Sequence, residues 1–455
     1  MSSHSLAADA ALPSPPSTVV ILRRILALAA PTSLVADLQV ISQLAETWLA
    51  ARQGTAALAG WAVVLPFALL LQQMSAGAMG GGVVSAIARA LGAGRREEAS
   101  ALVLHALLIA LAAGSLFGLA LAGFPRAVLG FVGGAEAAEA AALYSAILFG
   151  LGAIPAWIAN TLASVLRGGG RHALAARALA LAWLVYPGLA WALMEPARMG
   201  LPGAGLAFAI VMIAAALAMS AIVWRGGAGF EPRLKLRPSG VLFRRILAVG
   251  LVASALASVA NLTTILVTAQ VAAYGTAAVA AYGISARLEF LMIPIVFGVG
   301  SALTALVGRA VGEGDWATAR RTAWTGAFLS LSLAAAVGVP VSFAPDALAR
   351  AFTNDPAVAA IAARAVAYVG PALVGFGAGM ALYFAAMGAG RMRGPVIAAL
   401  CRIAIAAGGG WVLAHAVGMG LDGYFLAVAL GITAYGAVTA ASVRPGVWPG
   451  PAPSR

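Results

Sequence analysis

Glycines, prolines and charge clusters cut this chain into about twelve apolar runs of roughly 20 residues or more, each long enough to cross a hydrocarbon core as a helix. They lie near 22–50, 57–91, 98–123, 137–166, 172–194, 203–224, 245–273, 277–311, 317–343, 357–388, 395–417 and 423–443. Backbone polar groups in lipid must be satisfied within the segment, so such runs are read as helices. Hydrophobic residues make up 62% of the 455 and charged residues 9%, far below the roughly 25% charged share of a soluble domain. The expected class is an all-α integral membrane protein with twelve transmembrane helices.

Landmarks recur about 220 positions apart. RALGAG at 89–94 returns as RAVGEG at 309–314, GGGR at 168–171 as GAGR at 388–391, and RRILA at 23–27 as the same five residues at 244–248. An internal period of this length predicts two six-helix lobes. Six spans is an even number, so both lobes enter the bilayer the same way round, as parallel repeats about an axis along the membrane normal. The expected organisation is a disordered tail at 1–18, an N-lobe at 19–224, a linker at 225–244, a C-lobe at 245–443 and a second tail at 444–455. No basic n-region precedes the first apolar run, so no cleavable signal peptide is expected.

Most of the 28 lysines and arginines are assigned to the segments on the side of both termini, between spans or toward span ends. That group includes Arg89, Arg95, Arg96, Arg167, Arg171, Arg233, Lys235, Arg309, Arg320, Arg321, Arg391 and Arg402. Arg52, Arg126, Arg198, Arg350 and Arg364 lie on the other side. The positive-inside rule then puts both termini in the cytoplasm, with the protein in the cytoplasmic (inner) membrane.

Polar residues inside the spans are the candidate site. Thr32, Gln39, Gln43 and Glu46 fall within about 60° of one another on the first helix, one narrow stripe on an apolar cylinder. A carboxylate at mid-bilayer costs on the order of 3 kcal/mol even on a lenient scale. Its retention points to a cavity and an ion-coupling role for Glu46, with Asp37, on another face, as a second candidate. In the second half, Asn261 is the best cleft candidate among the small polar residues of 250–271. Tyr282, Ser285 and Glu289 share a face of the next span, while Arg287 lies roughly 140° away. This assigns Tyr282 and Glu289 to the substrate cleft and Arg287 to a structural charge within its lobe. Pro31, Pro66, Pro155, Pro187, Pro294 and Pro371 sit inside spans, where a lost backbone bond lets a helix bend.

The single cysteine, Cys401, excludes an intrachain disulfide, and His4, His105, His172 and His415 show no metal spacing. No metal, cofactor or nucleic-acid partner is expected, because the basic residues trace topology and form no basic face. GAMGGG at 77–82 lacks the ending of a phosphate loop and suits close helix packing. No nucleophile–base array is present, and an enzyme is not expected.

Several of these residues carry a family resemblance. LAAP at 28–31 followed after fourteen residues by ET at 46–47, ARALGAGRREEA at 88–99, LRGGGR at 166–171, EFLMIP at 289–294 and RAVGEGD at 309–315 resemble the multidrug and toxic compound extrusion (MATE) family over roughly residues 20–443. The resemblance implies a twelve-helix, two-lobe monomer that exchanges a proton or sodium ion for an organic, often cationic, drug-like compound. It implies an acid fifteen residues after the first-helix proline, the place of Glu46. The family's Asp before a fifth-helix proline is replaced by Tyr186, and no acid stands near 377–380 in the tenth span. Both departures favour protons as the coupling ion. The alternative implied by the wider superfamily is a lipid-linked glycan flippase, which calls for a strongly basic cavity. A receptor or a membrane subunit of an enzyme complex is a reading of a different class.

Overall fold

The computed structural model describes residues 16–232 and 237–448. Twelve of its helices are long and apolar enough to cross a membrane. They are α1 (Thr18–Arg52), α2 (Thr55–Gly92), α3 (Arg96–Gly123), α4 (Gly134–Gly168), α5 (His172–Met194), α6 (Leu201–Trp224), α7 (Gly240–Tyr274), α8 (Thr276–Gly312), α9 (Trp316–Phe343), α10 (Pro356–Ala389), α11 (Arg393–Ala416) and α12 (Leu421–Ala441). Each contains one expected apolar run, except that the last two runs extend slightly past Ala416 and Ala441.

The hydroxyl of Ser17 accepts the Val20 amide at 3.4 Å and caps α1, so helix begins inside the expected tail, of which residues 1–15 lie outside the described residues. The expected linker is also shorter. Helix resumes at Gly240, the Ser100 hydroxyl donates to the Glu231 carbonyl, and His105 Nε2 accepts the Ser239 amide at 2.8 Å. Residues 233–236, with Arg233 and Lys235, and residues 449–455 lie outside the described residues.

Within the first six helices α4 is central, packed by α2, α3 and α6, and within the second six α10 holds the same place against α8, α9 and α12. Trp157 and Phe149 on α4 and Phe376 and Leu373 on α10 are buried at these centres. The repeat read from sequence has a conformational basis. Gly94 (φ 72°) matches Gly314 (φ 79°), and Gly170 (φ 75°) matches Gly390 (φ 69°). Each glycine of RALGAG, RAVGEG, GGGR and GAGR at those points takes the left-handed turn that a side chain resists.

The lobes meet at the end of the bundle that carries both termini. Gly92 on α2 backs onto the Arg309 carbonyl of α8, and Gly312 on α8 backs onto the Arg89 carbonyl of α2, with no room for a methyl at either place. Gly82 on α2 crosses Gly250 on α7, where a methyl would stand 2.8 Å from the Ile246 carbonyl. Gly298 on α8 lies against Ser33 of α1, 2.9 Å from the Ala29 carbonyl by the same measure. The Ser85 hydroxyl adds a hydrogen bond of 2.6 Å to the Met387 carbonyl of α10.

Beyond this seam the same helix faces stay uncovered. Asp37 and Leu44 continue the face of Ser33, and Leu291 and Arg287 continue the face of Gly298, all within about 40°. Yet Leu44 is 65% and Leu291 49% exposed, and Asp37 and Arg287 are exposed too. The contacts between the lobes described here therefore lie toward the terminal-bearing end, and the uncovered faces beyond them are where the expected cleft would open.

Candidate functional site

Two carboxylates are turned into the helix bundle, one in each lobe. The Glu46 side chain is directed into the N-lobe, and the residue is only 8% exposed. The Tyr144 hydroxyl of α4 donates to Glu46 Oε1 at 2.7 Å. Tyr186 of α5 and Trp61 of α2 also lie beside the carboxylate. All three groups are neutral. Helix phase explains how α1 delivers Glu46 here: the Thr32–Glu46 stripe lies roughly 110° round the helix from the Ser33 seam face, so it turns toward α4 and α5. Thr32 shares a 3.1 Å hydrogen bond with His172 of α5, and Ser42 donates to the Trp183 carbonyl at 2.6 Å. Gln39 and Gln43, in the same stripe, are half-buried.

In the C-lobe the facing expected for α8 is reversed. Glu289 is turned inward and paired with Arg402 of α11, their side chains 13% and 10% exposed. The Arg402 guanidinium also lies 5.7 Å from the Phe376 ring centre. Tyr282, expected in the cleft, is buried beside this pair and near Thr264 of α7. Arg287, expected as the structural charge, is the exposed one and shares the cleft-side face of α8. Periodicity fixes the angle between residues on a helix, and it was the choice of the inward face that failed. Asn261 is half-buried about 20° from the Gly250 face of α7. That phase continues the seam into the cleft, while the Asn261 amide donates to the Ala257 carbonyl at 2.9 Å.

Arg402, expected with the arginines of the terminal-bearing side, belongs to the interior of a span. It lies well inside the apolar run, next to an over-wide helical turn at Ala404–Gly409 of the sort that gathers at functional positions. Arg167, also expected with those arginines, is buried and donates to Ser164 at 2.8 Å. It borders a polar layer in which Asn160 donates to Gln72 at 2.9 Å and to Ser75 at 2.8 Å, beside a second over-wide turn at Gln73–Ala78. Tyr144, Trp61 and Asn160 gave no sequence signal, since none interrupts an amphipathic pattern. Among the described residues no group of three or more His, Cys, Asp or Glu side chains is placed to hold a metal ion.

This arrangement, two six-helix lobes with a buried carboxylate on the first helix, can be set beside known proteins. The MatE family model matches residues 31–191 and 251–412, one block in each lobe. The chain belongs to the MatE family.

Among relatives of this MatE protein, a probable multidrug resistance protein NorM of Xanthomonas campestris pv. campestris is 31% identical over 173 residues, covering 36% of this chain and 37% of the relative. A second, from Xanthomonas axonopodis pv. citri, is 30% identical over the same length and coverage. The matched stretch spans little more than a third of these relatives. Solved structures extend the likeness in fold to nearly the whole chain. A MOP superfamily transporter from Pyrococcus furiosus Vc1 (DSM3638) superposes with a TM-score of 0.85 at 22% identity, covering 95% of this chain and 98% of the other. A multidrug resistance MATE family transporter in an outward-facing conformation gives 0.84 at 22% identity with the same coverage.

Proposed function

We propose that this MatE protein is a secondary antiporter that exports organic, drug-like cations in exchange for protons. One observation carries the reading: Glu46 is a buried carboxylate whose polar neighbours are all neutral. A charge buried in apolar surroundings needs a counter-charge or neutralisation, so a carboxylate with neither built in is suited to taking up and releasing a proton. Sodium is the less favoured coupling ion, since among the described residues no second carboxylate is paired with Glu46. The cleft between Asp37, Gln39 and Gln43 on one side and Asn261 and Arg287 on the other would take the substrate. The gradient is the energy source, with no cofactor, and the working unit is a monomer in the cytoplasmic membrane.

With both termini in the cytoplasm, as the arginine bias requires, the cleft would open to the outside in this conformation. Rocking of residues 19–224 against 245–443, joined by the 225–244 linker, would expose the cleft to the other side. Exposure of Arg287 gives the glycan-flippase reading one observation in its favour. Asp37 across the cleft offsets that charge, so the cleft lacks the strongly basic surface an anionic lipid headgroup calls for.

The test is efflux in everted vesicles under separate proton and sodium gradients, with Glu46→Gln beside the wild type. Removing an intramembrane charge does not raise the insertion cost, so the variant should reach the membrane in normal amount and fail to transport. Normal gradient-driven efflux by Glu46→Gln would sink the assignment.

A further inference from the structure

The two inward-turned carboxylates differ in what compensates them. Glu46 meets Tyr144, Tyr186 and Trp61, none of them cationic. Glu289 meets a guanidinium carried by the protein itself, held on a neighbouring helix of the same lobe and backed by the Phe376 ring. The other groups around the pair are Tyr282 on α8, Thr264 on α7 and Tyr435 on α12. None brings a second negative charge. Both partners belong to the C-lobe, so rigid-body rocking of one lobe on the other leaves the pair intact.

Several other carboxylates of the spans are placed differently. Asp37 is exposed. Glu98 pairs with Arg95 and Arg245, Glu139 with Arg126 and Asp422 with Arg364, all near helix ends.

We propose that Arg402 is a resident counter-ion that permanently occupies the cation position of Glu289, so that the C-lobe carboxylate neither exchanges protons nor admits sodium and coupling is confined to Glu46. This rests on the antiport reading above and deepens it: one exchangeable proton moves per cycle. For a monovalent organic cation, exchange is then electroneutral. It is driven by the pH difference and not by membrane potential.

The experiment uses the full-length chain in proteoliposomes, acid inside by one pH unit, with the potential clamped at zero by potassium and valinomycin and ethidium as the monovalent probe. One proton per ethidium gives an equilibrium accumulation of about tenfold, and two protons would give about a hundredfold. The wild type should reach about tenfold, and neither an imposed potential nor a sodium gradient alone should drive uptake. The double variant Glu289→Gln/Arg402→Gln removes the pair without stranding a charge and should reach the same ratio, whatever its rate. Arg402→Gln alone, where it folds, should exceed tenfold or become responsive to sodium, because Glu289 is then uncovered.

A hundredfold wild-type ratio, potential-driven uptake, or uncoupling in the double variant would overturn the proposal. Uptake by Glu46→Gln would instead overturn the antiport assignment beneath it, so the two failures are distinguishable.

Discussion

Removing Arg402 alone leaves Glu289 buried without its partner, which costs about 3–5 kcal/mol, whereas replacing both partners together avoids the stranded charge. Arg402→Ala should therefore unfold at markedly lower temperature in mild detergent, and Glu289→Gln/Arg402→Met should recover most of the loss. Arg287→Ala, at an exposed position, should stay within about 0.5 kcal/mol of wild type. Equal losses for Arg287→Ala and Arg402→Ala would show that the two arginines are equally buried. Tyr144→Phe deletes the 2.7 Å donor to Glu46 and should cost about 1.5–3 kcal/mol, measured by the same melt, with slower efflux. From sequence, Glu46 stood out because a carboxylate in an apolar run is conspicuous by itself. Its partner Tyr144 did not, since an aromatic residue in a membrane helix passes for ordinary packing. The Glu289–Arg402 pair joins residues more than a hundred positions apart, and nothing local on either helix announces the other.

Among the helices, α1 and α8 depend on a close crossing, and Gly298 sets how near they come. A side chain there would meet Ser33 and the Ala29 carbonyl. Gly298→Val should force the two helices apart and open the seam. A cysteine placed at position 29 in a Cys401→Ala background should then react with a small thiol reagent faster than the same cysteine beside Gly298. Unchanged reactivity would mean that the crossing absorbs the added bulk elsewhere. Ser33→Ala should rescue only in part, because the backbone carbonyl remains. The extent of these helices was legible in the sequence, since an apolar run long enough to span a bilayer has few other conformations open to it. Their rotation was less so. On α1 the polar stripe faces the N-lobe interior while Asp37 is exposed on another face, and the pattern shows the angle between those faces without saying which neighbour each one meets.

For the whole molecule, sidedness is the first check. Cysteines introduced at 133–136 and 353–356 should label with an impermeant reagent from outside, and cysteines at 226–232 from inside only, as the arginine bias requires. Outside labelling of 226–232 would invert the topology. The paired crossing of α2 and α8 bears on where such a molecule comes from. Gly92 rests on the Arg89 equivalent of the other half, and Gly312 rests on Arg89 itself. Each half thus offers both members of one contact, which is the self-complementary pattern of a two-fold interface. A six-helix polypeptide with this glycine and this carbonyl would present a surface that fits a second copy of itself, and the single chain can be understood as a homodimer whose subunits were joined end to end and then free to diverge, one acquiring Glu46 and the other Glu289 with Arg402.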